Sequence, residues 1–141
     1  MGKALYPDAK RLLITADGGG SNGSRVRLWK VALQQLSRET GLEISVCQFP
    51  PRTSKWNKIE HRMFSFISLN SRGRALATRQ IIVNLIRETP TKTGFKIHAA
   101  PDEGHYPTGR KVADKELEEL NLRRETFQPN WNYSLAPKTI I

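Results

Sequence analysis

Residues 11–25 read RLLITADGGGSNGSR. A short apolar run, Arg11 to Ala16, stands directly before an acidic residue, Asp17, and a glycine-rich turn follows. The run is β-prone and of the length of a buried strand. Beyond the turn, Val26, Trp29, Leu33 and Leu36 recur at helical spacing between Ser24 and Glu39. Asn22 or Ser24 is placed to cap the start of that helix, and Gly41 to close its end in the left-handed conformation. EISVCQF (Glu43 to Phe49) reads as a second buried strand. Strand, helix and strand in this order predict a parallel pair joined by a right-handed crossover, hence an α/β fold.

Outward from this unit, the prolines of PPRTSK break the pattern, and a helix is expected to begin near Ser54. Its apolar residues Trp56, Ile59, Met63, Phe66 and Ile67 form one stripe, expected to face inward. A second helix is predicted from about Thr78 to Glu88, with Ile81, Ile82, Leu85 and Ile86 inward and Pro90 beyond its end. FKIHA (Phe95 to Ala99) alternates like a half-exposed strand, and PDEGHYPTG is rich in turn formers. Val112 to Arg124 reads as an amphipathic helix capped by Asp114, and WNYSL (Trp131 to Leu135) as a last strand. The expected division is residues 1–90 as part of a catalytic domain and 91–141 as an α+β extension packed on it.

The chain has 141 residues, 38% of them apolar. No apolar run reaches the roughly 18 residues of a membrane span, and the N-terminus lacks the apolar centre of a signal peptide. A cytoplasmic protein without membrane contact is expected. Cys47 is the only cysteine, which excludes an internal disulfide and a cysteine metal cluster; it reads as a small buried residue. Lysine and arginine number 23 against 13 acidic residues, a formal charge of +10. Such an excess attracts a polyanion by releasing its counterions, so DNA or another nucleic acid is the expected partner.

The glycine turn has two readings. Gly18, Gly20 and Gly23 satisfy G-x-G-x-x-G between a strand and a helix, as a dinucleotide site would. Against this, an ionised Asp17 would stand where the pyrophosphate approaches. The second strand also ends in Gln48 and Phe49, where an acidic ribose ligand is needed. A P-loop is no better, because Ser24 and Arg25 follow where Lys and Ser or Thr are required. In the other reading Asp17 is the working group. Sites in open α/β sheets gather at the carboxyl ends of the strands, and the glycines leave room for a bound ion or phosphate.

A lone strand-end Asp also suits a turn cap, so a second carboxylate is needed. Glu60, in PPRTSKWNKIEHRMFSFI, lies at the margin of the apolar stripe of its helix, four residues past Trp56. Asn57, three residues earlier on the same face, is placed to orient it by a hydrogen bond. A plain solvated Glu paired with Lys55 or Arg62 is the alternative.

ITADGGGSNGSR followed by PPRTSKWNKIEHRMFSFIS resembles the DDE-type transposases of insertion sequences, in particular the Rhodopirellula-type transposase DDE domain. The likeness runs from YPDAKRLLITADGGGSNG through TKTGF to FQPNWNYSLAP, and SKWNKIEH is its most specific block. The resemblance implies part of a ribonuclease-H-like fold, with Asp17 as the second catalytic acid and Glu60 as the third. Both would hold Mg²⁺ or Mn²⁺, for which hard oxygen ligands are suited. Arg52, Lys55 and Lys58 flank this region and are expected to bind DNA phosphates.

A DDE triad also requires a first Asp on an upstream strand. Asp8, the only acidic residue before Asp17, sits in the turn-like YPDAK segment and does not suit that role. The expectation is therefore a C-terminal portion of a transposase catalytic domain, with little cleavage activity by itself. Its parallel pair would leave an open sheet edge, hidden by self-association or by the FKIHA and WNYSL strands. A DNA-binding or dimerisation module without chemistry is the alternative, ahead of a nucleotide-binding domain at the glycine turn.

Overall fold

The structure, a computed structural model, describes residues 2–138, the side chain of Ser54 excepted. It divides into two compact units, Met1–Trp56 together with Thr108–Ile141, and Asn57–Pro107.

The first unit is built on the predicted pair. Strand β1 (Arg11–Ala16) and strand β2 (Glu43–Gln48) run parallel in the register Arg11↔Glu43 to Ala16↔Gln48, joined by helix α2 (Arg27–Thr40). A single helical turn, α1 (Gly2–Leu5), precedes β1. Gly41 closes α2 with φ 71°, and its N–H bonds to the Ser37 carbonyl, as the left-handed cap requires. The start of α2 differs from expectation. Neither Asn22 nor Ser24 caps it; Val26 precedes the helix with no side-chain cap, its N–H bonded to the Gly23 carbonyl at 3.0 Å.

Two further strands complete a four-stranded sheet of order β1-β2-β4-β3. Strand β4 (Asn132–Leu135) is the predicted WNYSL strand, antiparallel to β2; β3 (Leu122–Arg124) is antiparallel to β4. FKIHA does not join: residues 95–99 form no strand, so the expectation there fails. The long helix expected from Val112 to Arg124 is also corrected. Only α5 (Asp114–Glu118) is helical, with Ala113 rather than Asp114 at the position before it and no side-chain cap. The Asn121 N–H, which a continuing helix would give to the Leu117 carbonyl, goes instead to Gln34 Oε1 at 2.7 Å. Residues 122–124 are then free to pair with β4.

The core lies between α2 and one face of the sheet. Leu33, Ile44, Val46, Tyr133 and Leu135 are buried there, with Ile14, Trp29, Leu42, Leu120 and Leu122 packed against them. Burial of each large aliphatic side chain contributes about 1.5–3 kcal/mol. Gln34, inside the same layer, is satisfied at both ends, since its Nε2 also donates to the Ala136 carbonyl at 2.8 Å. Strand parity decides what faces away. Ile44, Val46 and Gln48 point toward α2, so Cys47 points to the opposite face and is exposed, contrary to the buried reading. Leu13 shares that face and is 63% exposed.

The second unit carries helices α3 (Lys58–Ser71) and α4 (Arg79–Arg87). A separate 3₁₀ turn, Ser54–Trp56, stands before α3, so the α-helix begins later than predicted. Thr78 caps α4, its hydroxyl accepting the Ile81 N–H at 3.2 Å. The two helices are tied where Asn70 Nδ2 donates to the Leu85 carbonyl at 2.8 Å. Leu85 is buried as expected, but Ile81 and Ile82 lie at the surface. The α3 stripe departs further from expectation: α3 buries no residue, and Ile59 is 82% exposed.

Candidate functional site

Asp17 follows β1 immediately, at the carboxyl end of the parallel pair, and is exposed. Its Oδ1 accepts the Gly19 N–H at 3.0 Å, so the turn folds around its own carboxylate. Gly18 sits at φ 73° and Gly20 at φ 47°, where a side chain would be strained. A Cβ on Gly23 would press on the Gly18 carbonyl at 3.3 Å. The glycines are therefore required by the compactness of the turn itself. A dinucleotide phosphate would compete with Asp17 for the turn N–H, and α2 begins only at Arg27, four residues beyond Gly23.

Gln48 holds this turn in place. It closes β2 with its side chain directed to the core side, and its Nε2 donates to the Asn22 carbonyl at 2.6 Å. Strand parity with Ile44 and Val46 puts its side chain on the core side, but no local pattern names its partner in the turn. Phe49 N–H adds a bond to the Ala16 carbonyl at 2.7 Å, which fixes the strand end just before Asp17.

PPRTSK forms the next piece of the region. Pro50 to Thr53 is a tight turn, with Thr53 N–H and hydroxyl both donating to the Pro50 carbonyl, the hydroxyl at 2.5 Å. Arg52 takes the third position with φ 64°. Arg52, Lys55 and Lys58 are all exposed. Lys58 opens α3, and Glu60 lies in the first turn of that helix, where a carboxylate is favoured by the helix dipole. Asn57 precedes α3 and is buried; its carbonyl accepts the His61 N–H at 3.1 Å, while no hydrogen bond joins its side chain to Glu60.

Asp17 thus belongs to the first unit and Glu60 to the second. Neither forms an ion pair among the described residues, and the expected alternative pairing of Glu60 with Lys55 or Arg62 is not made. No group of three or more His, Cys, Asp and Glu side chains able to hold a metal occurs among the described residues. Asp17, with one oxygen bonded to the Gly19 N–H, and Glu60, in no ion pair among the described residues, are each an exposed carboxylate. That donor chemistry fits Mg²⁺ or Mn²⁺.

A separate polar group lies under α2. Lys30 is buried, with its Nζ 5.3 Å from the centre of the Tyr133 ring. Burial, and then the charges of Arg124 and Arg27, hold the Lys30 amine below its ordinary pKa. Burial pushes the Tyr133 hydroxyl up, against the opposing pull of the Trp29 indole N–H and the Arg124 charge. The indole N–H and the hydroxyl are both buried without a well-formed hydrogen bond.

No helix among the described residues is long and apolar enough to cross a membrane. A search of the curated proteins found no match, and neither did a search of the solved structures. The family model described as the Rhodopirellula transposase DDE domain matches residues 1–137. The match takes in Asp17, the glycine turn, Arg52 to Glu60 and the four-stranded sheet, and the chain belongs to that DDE transposase domain family.

Proposed function

We propose that this chain supplies two of the metal-holding carboxylates, Asp17 and Glu60, of a transposase that cleaves DNA and joins its strands. The family match over residues 1–137 carries the reading, together with the position of Asp17 at the carboxyl end of β1. In this reading the β1-α2-β2 unit is a portion of a ribonuclease-H-like sheet. One oxygen of the exposed Asp17 carboxylate accepts the Gly19 N–H, in a turn that Gln48 clamps through the Asn22 carbonyl; Glu60 presents its carboxylate from the first turn of α3. Divalent ions, when bound, would activate the attacking oxygen and stabilise the departing one. Arg52, Lys55 and Lys58 hold the DNA through its phosphates.

Duplex affinity measured against salt concentration tests the DNA half of this reading. Replacing Arg52, Lys55 and Lys58 together by alanine should flatten the slope of log affinity against log salt by about 3, close to one per lost phosphate contact. An unchanged slope would contradict it. A second reading, a DNA-binding or dimerisation module without chemistry, is favoured by one observation. Among the described residues strand β1 pairs on one side only, with β2, which leaves its other edge for a strand from a second copy. That reading predicts DNA binding indifferent to Mg²⁺ and to Glu60→Gln.

A further inference from the structure

The unit formed by residues 57–107 contains a groove of about 670 Å³ between α3 and the irregular segment Thr91 to His98. Its walls are apolar: Ile59, Met63 and Phe66 from α3 face Phe95 and Ile97 across it. These are not concealed side chains. Phe95 is 74% exposed, and Met63 is 40% exposed. The rim is cationic, with Lys58 and Arg62 on one side and Lys96 on the other, and no acidic residue lines the groove.

Apolar walls and a cationic rim select the occupant. A second copy of the chain would bring the same three cations face to face with these, so self-association through this groove is opposed by charge. Duplex DNA offers phosphates to the rim, but its bases are stacked away from the walls. A single strand offers both at once: phosphates to Lys58, Arg62 and Lys96, and flat unstacked base faces to Phe95, Phe66 and Met63. We propose that this groove binds unpaired nucleotides of single-stranded DNA, with Phe95 as the principal stacking surface. The choice of DNA over RNA rests on the transposase reading above; the stacking of bases in the groove rests on the groove alone.

The test uses the full chain in EDTA and fluorescence anisotropy with two labelled 15-nucleotide strands, one of thymidines and one abasic. Both strands carry the same phosphates, and only the first carries bases. The thymidine strand should bind at least fivefold more tightly, a ratio at the low end of what stacking of one base supplies. Phe95→Ala, at an exposed position outside any helix or strand, should erase that ratio while leaving duplex affinity unchanged. Lys96→Ala should weaken both strands alike. Equal affinity for the two strands would overturn the proposal, and so would a ratio that survives Phe95→Ala. Equally tight binding of a thymidine and a uridine strand would overturn the choice of DNA. Because no metal is present and Asp17 is not involved, these failures are distinct from failure of the carboxylate reading.

Discussion

Arg52 holds a backbone conformation that favours glycine. Its φ of 64° falls at the third position of the Pro50 to Thr53 turn, where an L side chain meets its own carbonyl. Pro51 presets the second position, so the turn closes despite Arg52 rather than because of it. An arginine retained at such a site fits the phosphate-binding role proposed for it. Arg52→Gly should therefore raise the free energy of unfolding in urea by about 1 kcal/mol while weakening duplex binding. A loss of stability would show that the Arg52 side chain is a structural anchor instead. Gln34 presents the opposite case. Its amide is buried and bonded at both ends, to Asn121 N–H and the Ala136 carbonyl. Gln34→Leu keeps the volume but leaves the Asn121 N–H unmet and the Ala136 carbonyl with only the Asn121 Nδ2 contact at 3.4 Å, and should lower stability by about 2 kcal/mol in the same urea measurement. A change under 1 kcal/mol would mean that water or a shifted backbone replaces those bonds.

Gln34 also explains which elements could be read from the sequence. The β1-α2-β2 unit has strong local signals: two short apolar runs, a 3.6-residue stripe and Gly41 at the cap. These elements formed as read, except that α2 begins at Arg27 without the expected Asn22 or Ser24 cap. WNYSL became β4 because its alternate residues, Tyr133 and Leu135, fill the core opposite Val46 and Ile44. The stretch from Val112 to Arg124 has a helical pattern throughout, yet the helix stops at Glu118 and the last three residues are a strand. A buried amide some 87 positions away takes the N–H that would have carried the helix on, and no local pattern contains that contact. FKIHA has the alternation of a strand without a neighbouring strand to pair with among the described residues. Periodicity reports which side chains share a face and is silent on whether a partner covers it. The same limit applies to α3, whose stripe was legible while its exposure was not, and to Cys47, whose run is apolar but whose parity turns it outward. At the site, Asp17 and its glycine turn were legible as a strand-end carboxylate. The Gln48 clamp was not, because it depends on how the turn returns to β2.

At the scale of the molecule, two units each carry one of the two carboxylates proposed to hold metal. Asp17 stands on a sheet end braced by Gly19 and Gln48; Glu60 stands on a helix with little burial of its own. The basic excess of the chain is consistent with a polyanion as partner, and its open β1 edge with further strand pairing. In the proposed function Asp17 and Glu60 are each a metal-holding carboxylate. Mn²⁺ titration followed by amide NMR tests this most directly, because the ion broadens signals only within its neighbourhood. Signals of Gly18 and Gly19, and those of Glu60 and His61, should broaden as Mn²⁺ is added, with Asp17→Asn removing the first effect and Glu60→Gln the second. If neither set broadens, or the broadening persists in those variants, the carboxylates do not hold the ion and the proposed function is wrong.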